Sequence, residues 1–355
     1  MQKITTALLR ETYEKALTFS NPLTDTISTD QFSADYPDRP EWAVGPFHKD
    51  DSLTFRQETD WADPTGIGWT ADSIFNPSLM VRDGRLYLFY RASPRKESIS
   101  SRIGVAVYDP EAGWQDNSAN PVIYPTQDNE ILGCEDPKIY AANGRYYMFY
   151  NGIWTIDRNR DQATGDDPDV YPLGDVGCDI NLAVSDDLIN WEKLGLAVPH
   201  EISRYWAKGA VIPRNARGEA VKLGGHYLMY LSEGCGGTTH VGRSTDMVNW
   251  TFEPQDYLDL GPLDGSLHEV ACAIVEDDGS KLVLDFFYGD ADGQFAAAQA
   301  LYDTNAPFTQ KALNPGGSLA WGGLLKFNGS WMFAQGWDAP AGSREMYFYR
   351  ADGNQ

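Results

Sequence analysis

The sequence predicts an all-β chain, a five-bladed β-propeller with a short N-terminal helical appendage, and three observations predict it. A Gly turn opening into a run of aromatic and aliphatic residues recurs five times. A second short apolar segment precedes each run, so each Gly closes a hairpin. The composition, 13% aromatic with 34 Gly and 20 Pro in 355 residues, suits many short strands joined by tight turns.

The clearest copies are GRLYLFYR at 84–91, GRYYMFYN at 144–151 and GHYLMYLS at 225–232. GSKLVLDFFYG at 279–289 and GSWMFAQGW at 329–337 are weaker. Before them lie NPSLMV, EDPKIY, KGAVIP, EVACAIV and WGGLLKF, and Asn76, Asp136 and Trp321 each stand eight positions ahead of their Gly. A third element, strand then Ser-x-Asp-x-x-x-Trp, appears as NLAVSDDLINW at 181–191 and HVGRSTDMVNW at 240–250, with a looser form at 105–114. Its Asp is suited to bond turn amides, and its Trp is expected to cover the edge of the next blade. A β-sandwich does not repeat one hairpin five times, which favours blades around an axis. The expected helix is ALLRETYEKAL at 7–17, within an extension over 1–60 that packs on a propeller catalytic domain over 61–355.

The net charge of −23, with no basic block, excludes nucleic acid and anionic membrane surfaces as natural partners. Residues 1–20 have no long apolar core and no apolar run reaches 18 residues, so neither a signal peptide nor a membrane span is expected. A cytoplasmic chain follows, with Cys134, Cys178, Cys235 and Cys272 as reduced thiols. No metal-ligand spacing is present, and no metal or cofactor is expected. The oligomeric state stays open.

In a propeller the innermost strands line the axis, so the polar residues that begin them converge on one pocket. Those starts offer Asp72, Asn76, Glu135, Asp136, Lys208, His268, Glu269 and Trp321. Neighbouring strand ends add Arg91, Asn151, Glu233 and Trp337. Carboxylates and amides bond sugar hydroxyls and Trp faces stack on pyranose rings, so an oligosaccharide is the expected partner. Trp154, Trp206, Trp321 and Trp337 are candidates for such platforms or for blade packing.

ILGCEDPKIYAANGRYYMFYNG (131–152) resembles the second-blade signature of glycoside hydrolase family 130. FNPSLMVRDGRLYLFYRA (75–92), followed by SRIGVAV (101–107), resembles that family's first blade. The family comprises five-bladed propellers, inverting phosphorylases and hydrolases of β-mannosides. The resemblance implies that Asp136 is the general acid, passing its proton through a sugar hydroxyl; the plain alternative is an Asx turn before Pro137. Phosphorylase members typically carry His-Arg-Pro after the third-blade strand, and this chain has Ser232, Glu233 and Gly234 there. A carboxylate repels phosphate but accepts a proton from water. Glu233 or Glu269 is thus expected to activate water, at the acid–base separation of about 6.5–9.5 Å that inversion requires.

The expected function is an inverting glycoside hydrolase acting on β-mannosides or related oligosaccharides. The alternatives are a phosphorylase using inorganic phosphate, for which Arg91, Arg102, Lys208, His240 and His268 supply candidate cations, and a non-catalytic sugar-binding propeller. An arabinanase- or fructosidase-type propeller is disfavoured, because Lys208 and Gly209 stand where those families place an acidic Glu. Glu233 as a solvated loop residue and Glu269 as the ion-pair partner of Lys208 remain open. The segment 153–180, with seven Asp, is a candidate lid or a solvated loop.

Overall fold

The computed structural model describes residues 5–19, 39–61, 66–95, 98–156, 176–292, 295–318 and 320–351. An N-terminal helix, α1 (Thr6–Phe19), is followed by two short strands, β1 (Phe47–Lys49) and β2 (Phe55–Arg56). Blade one is β3 (Ser73–Arg82), β4 (Arg85–Ser93), β5 (Arg102–Asp109) and β6 (Gly113–Asp116). Blade two is β7 (Gly133–Ala142), β8 (Arg145–Thr155), β9 (Val176–Ser185) and β10 (Glu192–Leu196). After the one-turn helix α2 (His200–Ser203), blade three comprises β11 (Ala207–Lys208), β12 (Tyr227–Leu231), β13 (Glu233–Gly234), β14 (His240–Ser244) and β15 (Thr251–Pro254). Blade four is β16 (Ser266–Val275), β17 (Lys281–Gly289), β18 (Phe295–Asp303) and β19 (Ala312–Pro315). Blade five holds β20 (Leu325–Phe327), β21 (Ser330–Gln335) and β22 (Glu345–Ala351).

The five-bladed arrangement expected from the repeat is what the chain adopts, helix included. The Gly hairpins explain themselves locally. Asp83–Gly84 and Asn143–Gly144 both have two successive positive φ angles, the type I′ turn whose twist matches paired strands. Blade five is built from both ends of the described chain: β1 adds to β22 as its outer strand, Phe47 opposite Ala351, and β2 also pairs with β22. Residues 47–56 of the expected 1–60 extension thus lie in the fifth blade.

Buried apolar side chains gather at the seams between neighbouring blades. Tyr90 and Leu88 meet Met332 and Phe348 between blades one and five; Phe89 and Ile103 meet Ile139 and Met148 between one and two. Three further clusters fill the other seams. The Ser-x-Asp-x-x-x-Trp turns edge them. Asp187 accepts the Ile189 and Asn190 amides at 2.9 and 2.7 Å, and Asp246 does the same for Val248 and Asn249. The tryptophans cover the preceding blade rather than the next: Trp191 meets Phe89, Trp250 meets Phe149, and Trp114 meets Phe348. Within the two full copies of the turn the indole N–H bonds the carbonyl three residues back, Leu188 or Met247, and Trp114 bonds the Leu53 carbonyl.

All four cysteines are buried free thiols. No helix among the described residues is long and apolar enough to cross a membrane.

Candidate active site

Three inner strands break register where the sequence is polar. The β3–β4 ladder skips between Phe75 and Ser78, and β7–β8 skips between Glu135 and Lys138. The residues thrown out of line are Asn76 and Asp136, each at positive φ (42° and 48°) and each followed by a proline that has no amide to pair. A third skip, between Leu267 and Glu269, displaces His268. Bulges of this kind re-aim a side chain, and here they turn polar groups onto the axis. Asp136 therefore occupies a β-bulge, with its carboxylate committed to side chains of three blade elements.

Asn76 donates from Nδ2 to Asp136 Oδ1 at 2.6 Å, Arg91 Nη1 donates to the same oxygen at 2.9 Å, and Lys208 Nζ reaches Oδ2 at 2.9 Å. Trp337 Nε1 donates to Asn76 Oδ1 and so fixes which end of the amide faces Asp136. Burial alone would raise the Asp136 pKa, but the Lys208 and Arg91 charges, with the hydrogen bonds, hold it well below the usual carboxylate range. Glu135 lies beneath, 2.6 Å from Arg91 and 3.3 Å from Lys208, and burial pushes its carboxyl up against those two charges. Arg91 is locked further by Ser101 Oγ (2.7 Å), the Ser98 carbonyl (3.1 Å) and the Phe75 ring.

Opposite this network, pairing of β11 with β13 sets Lys208 across from Glu233. Glu233 is half-buried, and burial pushes its carboxyl up to about 8; Lys208 partly offsets this, while Glu269 and Asp136 add to it. Glu269 is buried, with Oε1 3.1 Å from Lys138 Nζ. His268 sits edge-on to Phe295 and Trp321, and burial lowers its pKa. Donor atoms of Glu233, His268 and Glu269 lie within 4.8 Å of one another. A metal ion there would compete with Lys138 for Glu269, and the ammonium already supplies the positive charge.

The pocket at the channel mouth is lined by Asn76, Asp136, Pro137, Lys138, Asn151, Lys208, Glu269 and Trp321. Asn151 donates to the Ala207 carbonyl at 3.0 Å and so ties blade two to blade three. Several expected residues stand apart. Asp72 accepts the Ser73 hydroxyl at 2.6 Å and lies beside Gly342. Arg102 is fully buried and donates to the Ser101 and Leu132 carbonyls at 2.8 and 3.4 Å, joining blades one and two. His240 is buried with Nδ1 2.9 Å from the Thr238 carbonyl. Trp206 and Trp337 are buried, Trp154 stacks on His200, and Trp321 alone of the four lines the pocket. Of the candidate lid, 153–155 and 176–180 are strand, and 157–175 lies outside the described residues.

Sequence reasoning missed Lys138. Glu269 pairs with it and not with Lys208, whose ion pairs go to Glu135 and Asp136. The signal was a lysine two positions past Asp136 on an inner strand, flanked by Pro137 and Ile139, where a charge has to find a partner.

A family model described as beta-1,4-mannooligosaccharide phosphorylase, of glycoside hydrolase family 130, matches residues 54–167. A 1,2-beta-oligomannan phosphorylase from Thermoanaerobacter sp. (strain X514) is 27% identical over 187 residues, 51% of this chain and 53% of that protein. A beta-1,2-mannobiose phosphorylase from the same organism is 29% identical over 96 residues, 24% of this chain and 32% of that one. The chain thus spans about half, or less, of the length of the curated relatives it matches. A solved structure from work on glycoside hydrolases of that family that target beta-1,2 mannosidic linkages in Candida mannan superposes with a TM-score of 0.65. It is 21% identical, and the match covers 89% of this chain and 96% of that one.

Proposed function

We propose that this five-bladed β-propeller, similar to glycoside hydrolase family 130 over residues 54–167, is an inverting glycosidase cleaving a β-mannoside or related oligosaccharide, with water as acceptor. The observation that carries this reading is the pairing of the pocket's cations. Arg91, Lys138 and Lys208 are each already matched by a carboxylate, so none of the three is uncommitted where a phosphate dianion would need a cation. Water needs the reverse, a carboxylate to take its proton.

In the substrate-free pocket the charge states run opposite to the acid and base roles: burial pushes the Glu233 carboxyl up to about 8, while Asp136 is held as a carboxylate. Asp136 serves the leaving-group side. A sugar hydroxyl that displaces Lys208 or Arg91 from it lifts its pKa, so that it takes a proton from solvent and passes it to that hydroxyl, which gives its own proton to the glycosidic oxygen. Asn76, Arg91 and Asn151 bind further hydroxyls, Trp321 forms the apolar wall, and Glu269, or Glu233 above about pH 8, takes the proton of the attacking water. No cofactor enters this scheme.

A second reading, phosphorolysis, is favoured by the names of the curated relatives and of the family model. Lys208 and Arg91 would then exchange a carboxylate for phosphate. Incubation with β-1,2- and β-1,4-linked manno-oligosaccharides, with and without inorganic phosphate, separates the two. Free mannose formed without phosphate supports hydrolysis; mannose 1-phosphate, formed only when phosphate is present, overturns it. Neither product, with retained sugar binding, marks a non-catalytic binder.

A further inference from the structure

Lys138 belongs to blade two, yet its ammonium is spent on the other side of the axis. It lies 3.1 Å from Glu269 Oε1, donates to the Ala271 carbonyl of blade four at 3.3 Å, and donates to the Trp321 carbonyl ahead of blade five. Three acceptors meet the three protons of one ammonium. Its side chain is 5% exposed, so the contact forms the floor of the pocket. Gly209 leaves room for Glu269 on the other side, since an added Cβ there would stand 3.0 Å from the same carboxylate oxygen. Glu233 has no dedicated ammonium, because Lys208 is shared between Glu135 and Asp136.

We propose that Lys138 is a positioning residue that holds Glu269, rather than Glu233, in place as the carboxylate that activates water. This rests on the hydrolase reading above. The other groups facing Glu269 are the Tyr140 phenol from the strand of Lys138, Lys208 and Glu233 from blade three, and His268 beside it on β16. Among these Lys138 supplies the cation in direct contact. The raised pKa of Glu233 agrees with the division, since a carboxyl that holds its proton to about 8 is a poor acceptor at neutral pH.

The test is kcat and KM for free mannose release, without phosphate, in the wild type, Lys138→Met and Lys138→Arg. Lys138→Met releases Glu269 from its fixed contact, and a carboxylate displaced by about 1 Å should cost about 10²-fold in kcat while KM moves within a few-fold. Lys138→Arg, which keeps an ion-pair partner for Glu269, should recover kcat to within about tenfold of the wild type. A kcat within about threefold of the wild type in Lys138→Met, or a loss carried by KM alone, overturns the inference. Should Lys138→Met not fold, Glu269→Gln and Glu233→Gln decide: about a 10²–10⁴-fold loss is expected in Glu269→Gln and a smaller one in Glu233→Gln, and the reverse order overturns it. Wild-type protein that forms mannose 1-phosphate and no free mannose sinks the hydrolase reading, and this inference with it. Wild-type hydrolysis with kcat unmoved in Lys138→Met sinks the inference alone.

Discussion

Asp136 sits at φ 48° in a bulge, a conformation that costs a non-glycine residue about 1–3 kcal/mol and persists where surrounding contacts over-determine it. Those contacts are Asn76, Arg91 and Lys208. Asp136→Asn keeps the shape and removes the charge. It should lower the rate of glycosidic cleavage by about 10²–10⁴-fold while sugar affinity changes little, measured by product release beside calorimetric titration. A rate within threefold of wild type would remove Asp136 from the chemistry. Asn76 and Asp136 were legible because each is a polar residue before a proline at one fixed distance from a repeated Gly. Lys138 was not, because nothing local says that its four-carbon stem reaches across the axis. Arg102, a candidate ligand by its charge, is fully buried and donates to the Ser101 and Leu132 carbonyls, a setting that its residue type did not reveal.

At the scale of the element, the Ser-x-Asp-x-x-x-Trp turn is the most self-sufficient piece of the fold. Ser185 Oγ accepts the Asp187 and Leu188 amides at 3.1 and 2.9 Å, and Ser244 repeats the pattern with Asp246 and Met247. Leu188 and Met247 take φ 70° and 72° while fully buried, so the hydroxyl braces backbone that would otherwise relax. By analogy with helix caps, Ser185→Ala should cost about 0.5–2 kcal/mol, seen as a fall of about 1–3 °C in the melting midpoint. The Ser185→Ala/Ser244→Ala pair should be additive, since the turns share no partner; a neutral double variant would show that the hydroxyls do not brace the turn. The amides of this turn were readable from residue type. The direction of its tryptophan was not, because seam geometry between blades is a tertiary property.

Across the whole molecule, the number of blades was legible because a Gly hairpin recurs five times, whereas ring closure was not. β1 carries no repeat signature, and its three residues pair with β22 only because the last blade lacks an outer strand. The neighbouring segment is fastened as well: Gln299 bonds both the amide and the carbonyl of Val44 and donates to Asp285, a buried carboxyl that burial pushes up to about 7. Removing residues 1–50 should lower the melting midpoint and increase proteolytic cleavage within 325–351, compared with removal of residues 1–38 alone. Equal midpoints for the two truncations would show that β1 contributes no closure.

The pairing of Phe47 with Ala351 joins positions about 300 residues apart. Contacts so distant along the chain are the slowest to form, because the intervening loop has to close before they yield any gain. During synthesis the early strand has no partner until β22, about 300 residues later, has emerged from the ribosome. Blades one to four can assemble as they emerge, while the fifth waits, its neighbours' seams facing solvent. The clasp that secures the finished ring thus also sets its last and most vulnerable folding step.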